Sequence, residues 1–380
     1  MKKFLALALS LTMTLGLLAG CSKPAPAPAA SVKPTAAPTT DTTPAPQTKP
    51  LKVALLVPGL LGDKSFFDAA NAAMTLIQTD LGAETKTVEM GTDQTKWYPT
   101  FLDYCEKDYD LILTISDAVN DTVLQMAEEF PDQKFMNIDA TMVDLPENVY
   151  AMTAKMGEMS FMAGLAAAKK AEELGVKQIG FIGGLDIPGI NEFLIGYIDG
   201  AHYVNPDLKV AYSYVGSFSD PSKAKENALI MYKDTYIVYT AAGASGLGVF
   251  DAAKEFTAKG EARFAVGVDS DQAMGLKSSD PDAAGLIITS AIKNIPQYTA
   301  DAVKRYAEGK IPFGTDELMG LKEHGVTIAK NEYYEKLLSQ ASRDFIDDVE
   351  AKVLSGKVTP INTIGMATEK VEEIRQASRP

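Results

Sequence analysis

"LKVALLVPGLLGDKSFF", residues 51–67, reads as one buried β-strand, then a turn, then the start of a helix. Leu51–Val57 is apolar at nearly every position rather than at alternate ones, which is the pattern of a strand covered on both faces. Pro58, Gly59 and Gly62 break that pattern. From about residue 65 apolar side chains recur at three- and four-residue spacing, the period of a helix. Strand, turn and helix in this order form the repeating unit of a parallel α/β sheet.

The unit recurs outward from this stretch. Further strands, each read as buried on both faces, are expected at 110–115, 134–138, 177–183, 210–215, 236–240, 264–268 and 285–290. Helices are expected at about 65–80, 119–129, 156–174, 221–233, 246–258 and 294–309, and residues 333–357 read as one long amphipathic helix. No repeat of fixed period stands out. The body from Leu51 onward is about 330 residues, beyond the size at which one core usually stops growing, so two lobes are expected.

Ahead of this body, Lys2 and Lys3 precede an apolar run, Phe4–Leu18, that is shorter than the roughly 18–20 residues needed to span a bilayer. Residues 1–20 therefore read as a cleaved signal peptide. "LAGC" (18–21) looks like a bacterial lipobox, which predicts lipidation of Cys21 and attachment to the extracytoplasmic face of the cell membrane; an ordinary secreted protein is the alternative. Residues 21–50, rich in Pro, Ala and Thr, cannot build a core and form a linker reaching up to roughly 90 Å when extended. Cys105 is then the only other thiol, so no intramolecular disulfide is available, and its apolar neighbours Leu102 and Tyr104 mark it as a packed side chain. The formal charge of −14 becomes −16 once Lys2 and Lys3 leave with the leader. An acidic surface argues against nucleic acid as a partner, since phosphate recognition needs clustered Lys and Arg.

In parallel α/β folds ligands sit beyond the carboxyl ends of the strands. Asp63, Ser65, Phe66 and Phe67 follow the first strand, and Asp117 and Asp121 follow residues 110–115. Phe218 and Asp220 follow 210–215, and Gly243 and Ala244 follow 236–240. Asp269 and Asp271 follow 264–268, while Ser290 and Lys293 end the last strand. Each has a plain explanation, since Asp and Ser cap helices, Gly makes turns and Phe packs; their shared location points to binding.

The chemistry narrows quickly. Counted from Asp269, position 6 is Met274 where a calcium loop needs Gly. The only histidines, His202 and His324, lie far from the strand ends, which leaves zinc sites and hydrolytic triads without donors or a base. "GASGLG" (243–248) lacks the Lys-Ser/Thr that grips a phosphate. No metal, cofactor or catalytic residue is expected, although the sequence does not set the distances between carboxylates and so leaves a glycosidase pair open. Carboxylates accept hydrogen bonds in pairs from vicinal hydroxyls or ring N–H groups, and phenylalanine offers a face to a planar base. A neutral, hydroxyl-bearing aromatic ligand such as a nucleoside needs that mixture, and a phosphorylated one would be repelled.

"GDKSF" (62–66), "AEEFPDQKFMNID" (127–139), "FMAGLAAA" (161–168), "IGFIGGLDIPGINEFLIGYIDGA" (179–201), "YVGSFSDPSKAKENA" (214–228), "TAAGASGLGVFDAAKE" (240–255), "VGVDSDQ" (266–272) and "ITSAIK" (288–293) occur in this order. Together they resemble the basic membrane protein family, purine-nucleoside-binding lipoproteins of bacterial ABC importers. The resemblance implies a type 1 periplasmic binding protein fold: two doubly wound parallel-sheet lobes joined by three crossovers, with ligand enclosed between them. It implies that Phe218 and Phe66 sandwich the base, that Asp121 or the neighbouring Asp117 bonds the base edge, that Asp269 and Lys293 hold ribose hydroxyls, and that Gly243 and Ala244 lend backbone groups; Asp63 and Phe67 belong to the same set. An ABC permease and ATPase are implied with it as partners; the N-terminal lipid adds the membrane, and a monomer is expected. A nucleoside- or sugar-sensing or surface-interaction lipoprotein uncoupled from import, and an enzyme acting on the bound nucleoside, are the competing readings.

Phe67 stands where the family usually has Asn, Ser116 and Asp117 stand where it has a glycine and an aromatic, and "GASG" replaces Gly-Gly-Thr-Gly. These departures lie in the expected pocket and bear on ligand identity, with a different base or a non-nucleoside polyol as the alternatives. Lobe boundaries are expected at 51–153 plus 285–312 for the first lobe and 154–284 plus 313–365 for the second, with 366–380 as a tail. Closure about the crossovers is the expected motion, driven by a ligand that touches Asp121 and Phe66 on one lobe and Phe218 and Asp269 on the other.

Overall fold

The computed structural model describes residues 49–380. The leader, Cys21 and the linker up to residue 48 lie outside the described residues. The first sheet begins with β1 (Lys52–Val57), β2 (Glu84–Glu89), β3 (Leu111–Ile115), β4 (Phe135–Ile138) and β5 (Val149–Ala154). Alternation along β1 separates its two faces: Val53, Leu55 and Val57 pack with Ala70, Met74 and Ile77 of α1 (Phe66–Leu81), while Ala54 and Leu56 pack with Phe101 of α2 (Trp97–Cys105) and Val123 and Met126 of α3 (Asn120–Glu129). A fully buried strand of this kind resists truncation, and losing a leucine from it costs about 2–5 kcal/mol.

The second lobe opens with α4 (Met156–Leu174), β6 (Gln178–Gly183), α5 (Pro188–Val204), β7 (Lys209–Tyr214), α6 (Pro221–Met231), β8 (Ile237–Ala241), α7 (Leu247–Ala258) and β9 (Phe264–Asp269). Two short helices, α8 (Gln272–Leu276) and α9 (Pro281–Ala284), lead to β10 (Ile287–Lys293). Ile179 and Phe181 face α4 and α5, and Ile182 and Val238 face α6 and α7. The paired helices α4 and α5 approach so closely that a Cβ at Gly200 would fall 2.0 Å from the Phe161 carbonyl oxygen, and one at Gly164 2.4 Å from that of Tyr197.

After β10 the chain returns to the first lobe as α10 (Ile295–Ala307), whose Tyr298 and Val303 join the core against α1. β11 (Thr315–Met319) then pairs in parallel with β5, and β12 (Val326–Ile328) pairs antiparallel with β10. The sheets run β11-β5-β4-β3-β1-β2 and β12-β10-β9-β8-β6-β7, and every pairing but β10–β12 is parallel. This is the two-lobed α/β architecture that the sequence led us to expect. Three crossovers join the lobes, and they are tied together: Lys155 N–H donates to the Met319 carbonyl at 3.0 Å and Asn294 N–H to that of Gly325 at 2.8 Å.

Several expectations need correction. The boundaries at 285–312 and 313–365 do not hold, because backbone pairing with β9 places 287–293 in the second sheet and pairing with β5 places 315–319 in the first. Residues 333–357 are two helices, α11 (Glu332–Leu337) and α12 (Gln340–Leu354), separated where the Ser339 hydroxyl takes the Ser342 N–H and starts a new helix. The expected tail forms α13 (Thr368–Ser378), with Val371 and Ile374 packed on the second-lobe core. β7 is an edge strand and only partly buried. Among the described residues no helix is long and apolar enough to cross a membrane.

Candidate functional site

The strand ends that face the seam between the lobes carry unusual backbone. Ser116 after β3, Asp139 after β4 and Asp269 at the end of β9 have φ of 95°, 51° and 62°, a region non-glycine residues enter at a cost of about 1 kcal/mol or more and one that concentrates at binding sites. Asp269 Oδ2 accepts from the Ser65 hydroxyl of the other lobe at 2.6 Å. Its Oδ1 lies 3.6 Å from Lys293 Nζ and is buried with no hydrogen bond of its own. Lys293, at the end of β10, donates to Asp139 Oδ2 of the first lobe at 2.5 Å, and its ammonium also sits 4.9 Å from the ring centre of Phe66 and 5.0 Å from that of Phe193. One lysine thus joins carboxylates from both sheets. Ser270 adds a second link across the seam, donating to the Lys64 carbonyl at 2.8 Å.

Electrostatics at this junction are finely opposed. Burial pushes the Asp269 carboxyl above its ordinary range, against the pull of Lys293 and Ser65. Burial works against the Lys293 charge, yet Asp139 and Asp269 more than offset it and hold the lysine above its usual value. Glu192 on α5, also buried, is pushed up to about 7 by desolvation, although its Oε1 accepts the Gly157 N–H at the start of α4 at 3.0 Å.

The remaining candidates sort into distinct places. Asp63 is buried but turned to its own helix, accepting from the backbone N–H of Ser65, Phe67 and Asp68 at 3.0, 2.9 and 3.1 Å. Phe67 packs over Gly59, where a Cβ would lie 2.2 Å from its ring, and tilts against Phe66 with ring centres 5.3 Å apart. Asp117, on the first-lobe rim, accepts from Thr141 N–H at 2.7 Å, and the charges of Asp139 and Lys293 bear on it. Asp121 stands exposed in the first turn of α3. Phe218 is 39% exposed, its ring resting on Gly184, and Gly243 (φ 54°) abuts its Cβ while Ala244 continues the same tight turn. Asp220 caps α6 through Lys223 N–H, and Asp271 caps α8 through Met274 N–H while also holding the Asn331 amide. Ser290 accepts from Gln272 N–H behind the seam.

The structure therefore gathers Phe66, Asp269 and Lys293 at the seam, groups Phe218, Gly243 and Ala244 at the ends of β7 and β8, and leaves Asp117 in the turn before α3 and Asp121 in the first turn of α3. Asp63 and Asp271 are helix caps. Asp139 and Glu192 were missed by the sequence reading. Asp139 directly follows the expected strand 134–138 and the strand-end rule could have found it, whereas the signal for Glu192 was a lone charge beside Ile190, Phe193 and Leu194. Beside the seam opens a groove of about 380 Å³ lined by Lys64, Ser65, Asp269, Ser270, Lys293 and Asn294 among others, a size within the range of small-molecule sites. Among the described residues no group of His, Cys, Asp and Glu is placed to hold a metal ion.

The family model for ABC transporter substrate-binding proteins of the PnrA-like (Bmp) type matches residues 51–359. The chain belongs to this family. Among its PnrA-like relatives is the ABC transporter nucleoside-binding protein BmpA of Lactococcus lactis subsp. cremoris, 33% identical over 260 residues that cover 67% of this chain and 72% of the relative. Basic membrane protein D of Borreliella burgdorferi is 30% identical over 284 residues, 74% of this chain and 79% of that one. The crystal structure of an ABC transporter solute-binding protein from Aeropyrum pernix K1 superposes with a TM-score of 0.73 at 25% identity, covering 87% of this chain and all of the other. The PnrA-like match spans both lobes and stops short of α13.

Proposed function

We propose that this PnrA-like protein captures a nucleoside, a purine nucleoside in preference, between its lobes and delivers it to an ABC permease and ATPase without altering it. The observation that carries this reading is the unfinished bonding of Asp269. Its Oδ1 is buried and unpaired, 3.6 Å from the Lys293 ammonium, too far for a hydrogen bond between them. A hydroxyl placed there donates to the carboxylate and accepts from the lysine, completing both, and hydrogen bonds to charged groups contribute about 1.5–3 kcal/mol each. Ribose supplies such hydroxyls. In this reading Phe66 and Phe218 hold the base, Asp117 or Asp121 meets its edge, and Gly243 and Ala244 present backbone groups. The name of the Lactococcus relative points to the same ligand class.

Lipid attachment at Cys21 and residence on the extracytoplasmic face follow from the leader and lipobox, and a protein that works by closing over its ligand needs no second copy. Titration calorimetry of the mature protein with adenosine, guanosine, inosine, cytidine, uridine, ribose and adenosine 5′-monophosphate tests the reading. Purine nucleosides should bind with micromolar or tighter affinity and be recovered unchanged, and the monophosphate should give no heat because its charge meets Asp117, Asp139 and Asp269. Heat from simple sugars with none from purine nucleosides would contradict it.

A further inference from the structure

Beyond residue 359, where the family match ends, the chain runs back over the second lobe. Ile361 N–H donates to Asp199 of α5 at 2.8 Å, and α13 then lays Val371 and Ile374 against the core. Arg375 faces inward from this helix. Its guanidinium lies 4.9 Å from the ring centre of Tyr212 and 5.5 Å from that of Tyr214, both on edge strand β7, and its two terminal nitrogens donate to the Asp186 carboxylate at 3.2 and 3.1 Å. Asp186 also accepts from Asn191 Nδ2 at 2.9 Å, and Asn191 in turn accepts from the Tyr214 hydroxyl at 2.5 Å.

What makes this network more than a covering is the turn it grips. Asp186 lies in the β6–α5 turn two residues after Gly184, and Gly184 is the floor beneath Phe218: a Cβ there would fall 2.3 Å from two atoms of the ring. The turn is itself stitched to the neighbouring strand ends, with Gly184 N–H donating to the Ala241 carbonyl at 3.0 Å and the Gly184 carbonyl accepting from Gly216 N–H at 2.8 Å. The Asp186 side chain is 51% exposed and that of Arg375 11%, so solvent screens the carboxylate end of the pair and limits what it adds to stability. A planar guanidinium that forks onto a carboxylate and stacks on two tyrosines instead fixes orientation.

We propose that α13 is a strap and that Arg375 is a positioning residue: it sets the β6–α5 turn, and through Gly184 the seat of Phe218, for ligand stacking. The inference rests on the reading of Phe218 as a face for the base. It concerns a segment that lies beyond the residues matched by the family model.

The test compares the full mature protein with Arg375→Ala, Arg375→Lys and a chain ended at Ala367. Adenosine, guanosine and inosine serve as calorimetric probes, thermal melting reports stability, and hydrogen exchange at the Gly184 and Gly216 amides is followed without ligand. Arg375→Ala should weaken nucleoside binding about three- to tenfold, the weight of one aromatic stacking contact, and quicken exchange at both amides. Its melting midpoint should move by only a few degrees. Arg375→Lys should recover part of the affinity, because one ammonium cannot fork, and the shortened chain should lose at least as much as Arg375→Ala. Wild-type exchange at Gly184 and Gly216 in Arg375→Ala, or wild-type affinity in that variant, overturns the proposal; so does full recovery by lysine. If the unmodified protein binds none of the three probes, the nucleoside reading fails while the exchange comparison still decides whether Arg375 holds the turn.

Discussion

Asp139 and Asp269 end strands and meet Lys293 between the two sheets; Asp63, Asp220 and Asp271 also follow strands, yet each directs its oxygens to the backbone N–H groups of the helix that comes next. The contrast is sharpest within "VDSDQ", where two carboxylates one residue apart have opposite fates. At Asp269 a φ of 62° bends the chain at the seam and leaves the side chain facing the other lobe. At Asp271 ordinary negative φ leads into α8, and three hydrogen bonds tie the carboxylate to its own lobe. Carboxylates of one chemical kind thus divide into caps, which bond the backbone of their own lobe, and seam groups, which meet Lys293 between the lobes and of which Asp269 keeps one oxygen unpaired.

The largest expected effect tests the seam side of the contrast. Asp269→Asn should lower nucleoside affinity about a hundredfold or more, since it removes a charged acceptor from a buried site, while the melting temperature changes little. A large loss of stability with retained binding would make Asp269 a structural group and erase the contrast. Lys293→Met comes next. Removing the one cation leaves Asp139 and Asp269 buried and unneutralised, at a cost of about 3–5 kcal/mol at neutral pH by urea denaturation. The sign of its pH dependence follows from Asp269: a carboxylate whose folded pKa is raised destabilises when ionised, so the variant should regain stability as pH falls and Asp269 protonates. A deficit unchanged as pH is lowered would mean that Asp269 does not depend on Lys293.

Smaller effects belong to the caps. Asp63→Ala should cost about 1–2 kcal/mol and Asp271→Ala about 1 kcal/mol, the ordinary weight of a helix cap, with nucleoside affinity kept within a few-fold. Loss of binding at wild-type stability in either variant would move that residue to the other class. Glu192 offers the finest test, because it is a seam neighbour that also caps α4. Its folded pKa of about 7 lies above the ordinary 4.5, so the fold prefers the neutral acid. That contribution is whole at low pH and is lost as pH rises through about 7, and Glu192→Gln should flatten the stability profile across that rise. An unaltered profile would show that Glu192 is not the group that titrates.

Burial of the backbone explains part of what could be read in the sequence. β1, β3, β8 and β9 were legible because each is apolar on both faces, whereas β2 ("ETKTVE") and β11 ("TDELM") are edge strands whose composition does not differ from a loop; β5 ("VYAMTA"), buried at every position, was passed over because Ala151 and Thr153 break its apolar run, and the edge strand β7 was found although half-buried. α5 was passed over because Gly196 and Gly200, which weaken its helical signal, are present for contact with α4. The strand-end rule singled out Asp269 and Lys293, which the structure brings together at the seam. Asp63 was taken for a ligand group because a cap and a binding carboxylate look alike until the neighbouring N–H groups are placed. The lobe boundary around β10 was misjudged for a related reason: hydrogen-bond pairing, which no single segment encodes, decides which sheet a strand joins.

The account turns on a nucleoside completing the bonding of Asp269 and Lys293, and crystals of the protein grown with adenosine test it directly. Electron density for the nucleoside should fill the seam, with its base between Phe66 and Phe218 and ribose hydroxyls within about 2.6–3.2 Å of Asp269 Oδ1 and Lys293 Nζ. Density elsewhere, with Asp269 and Lys293 bonded only to Ser65 and Asp139, would contradict it.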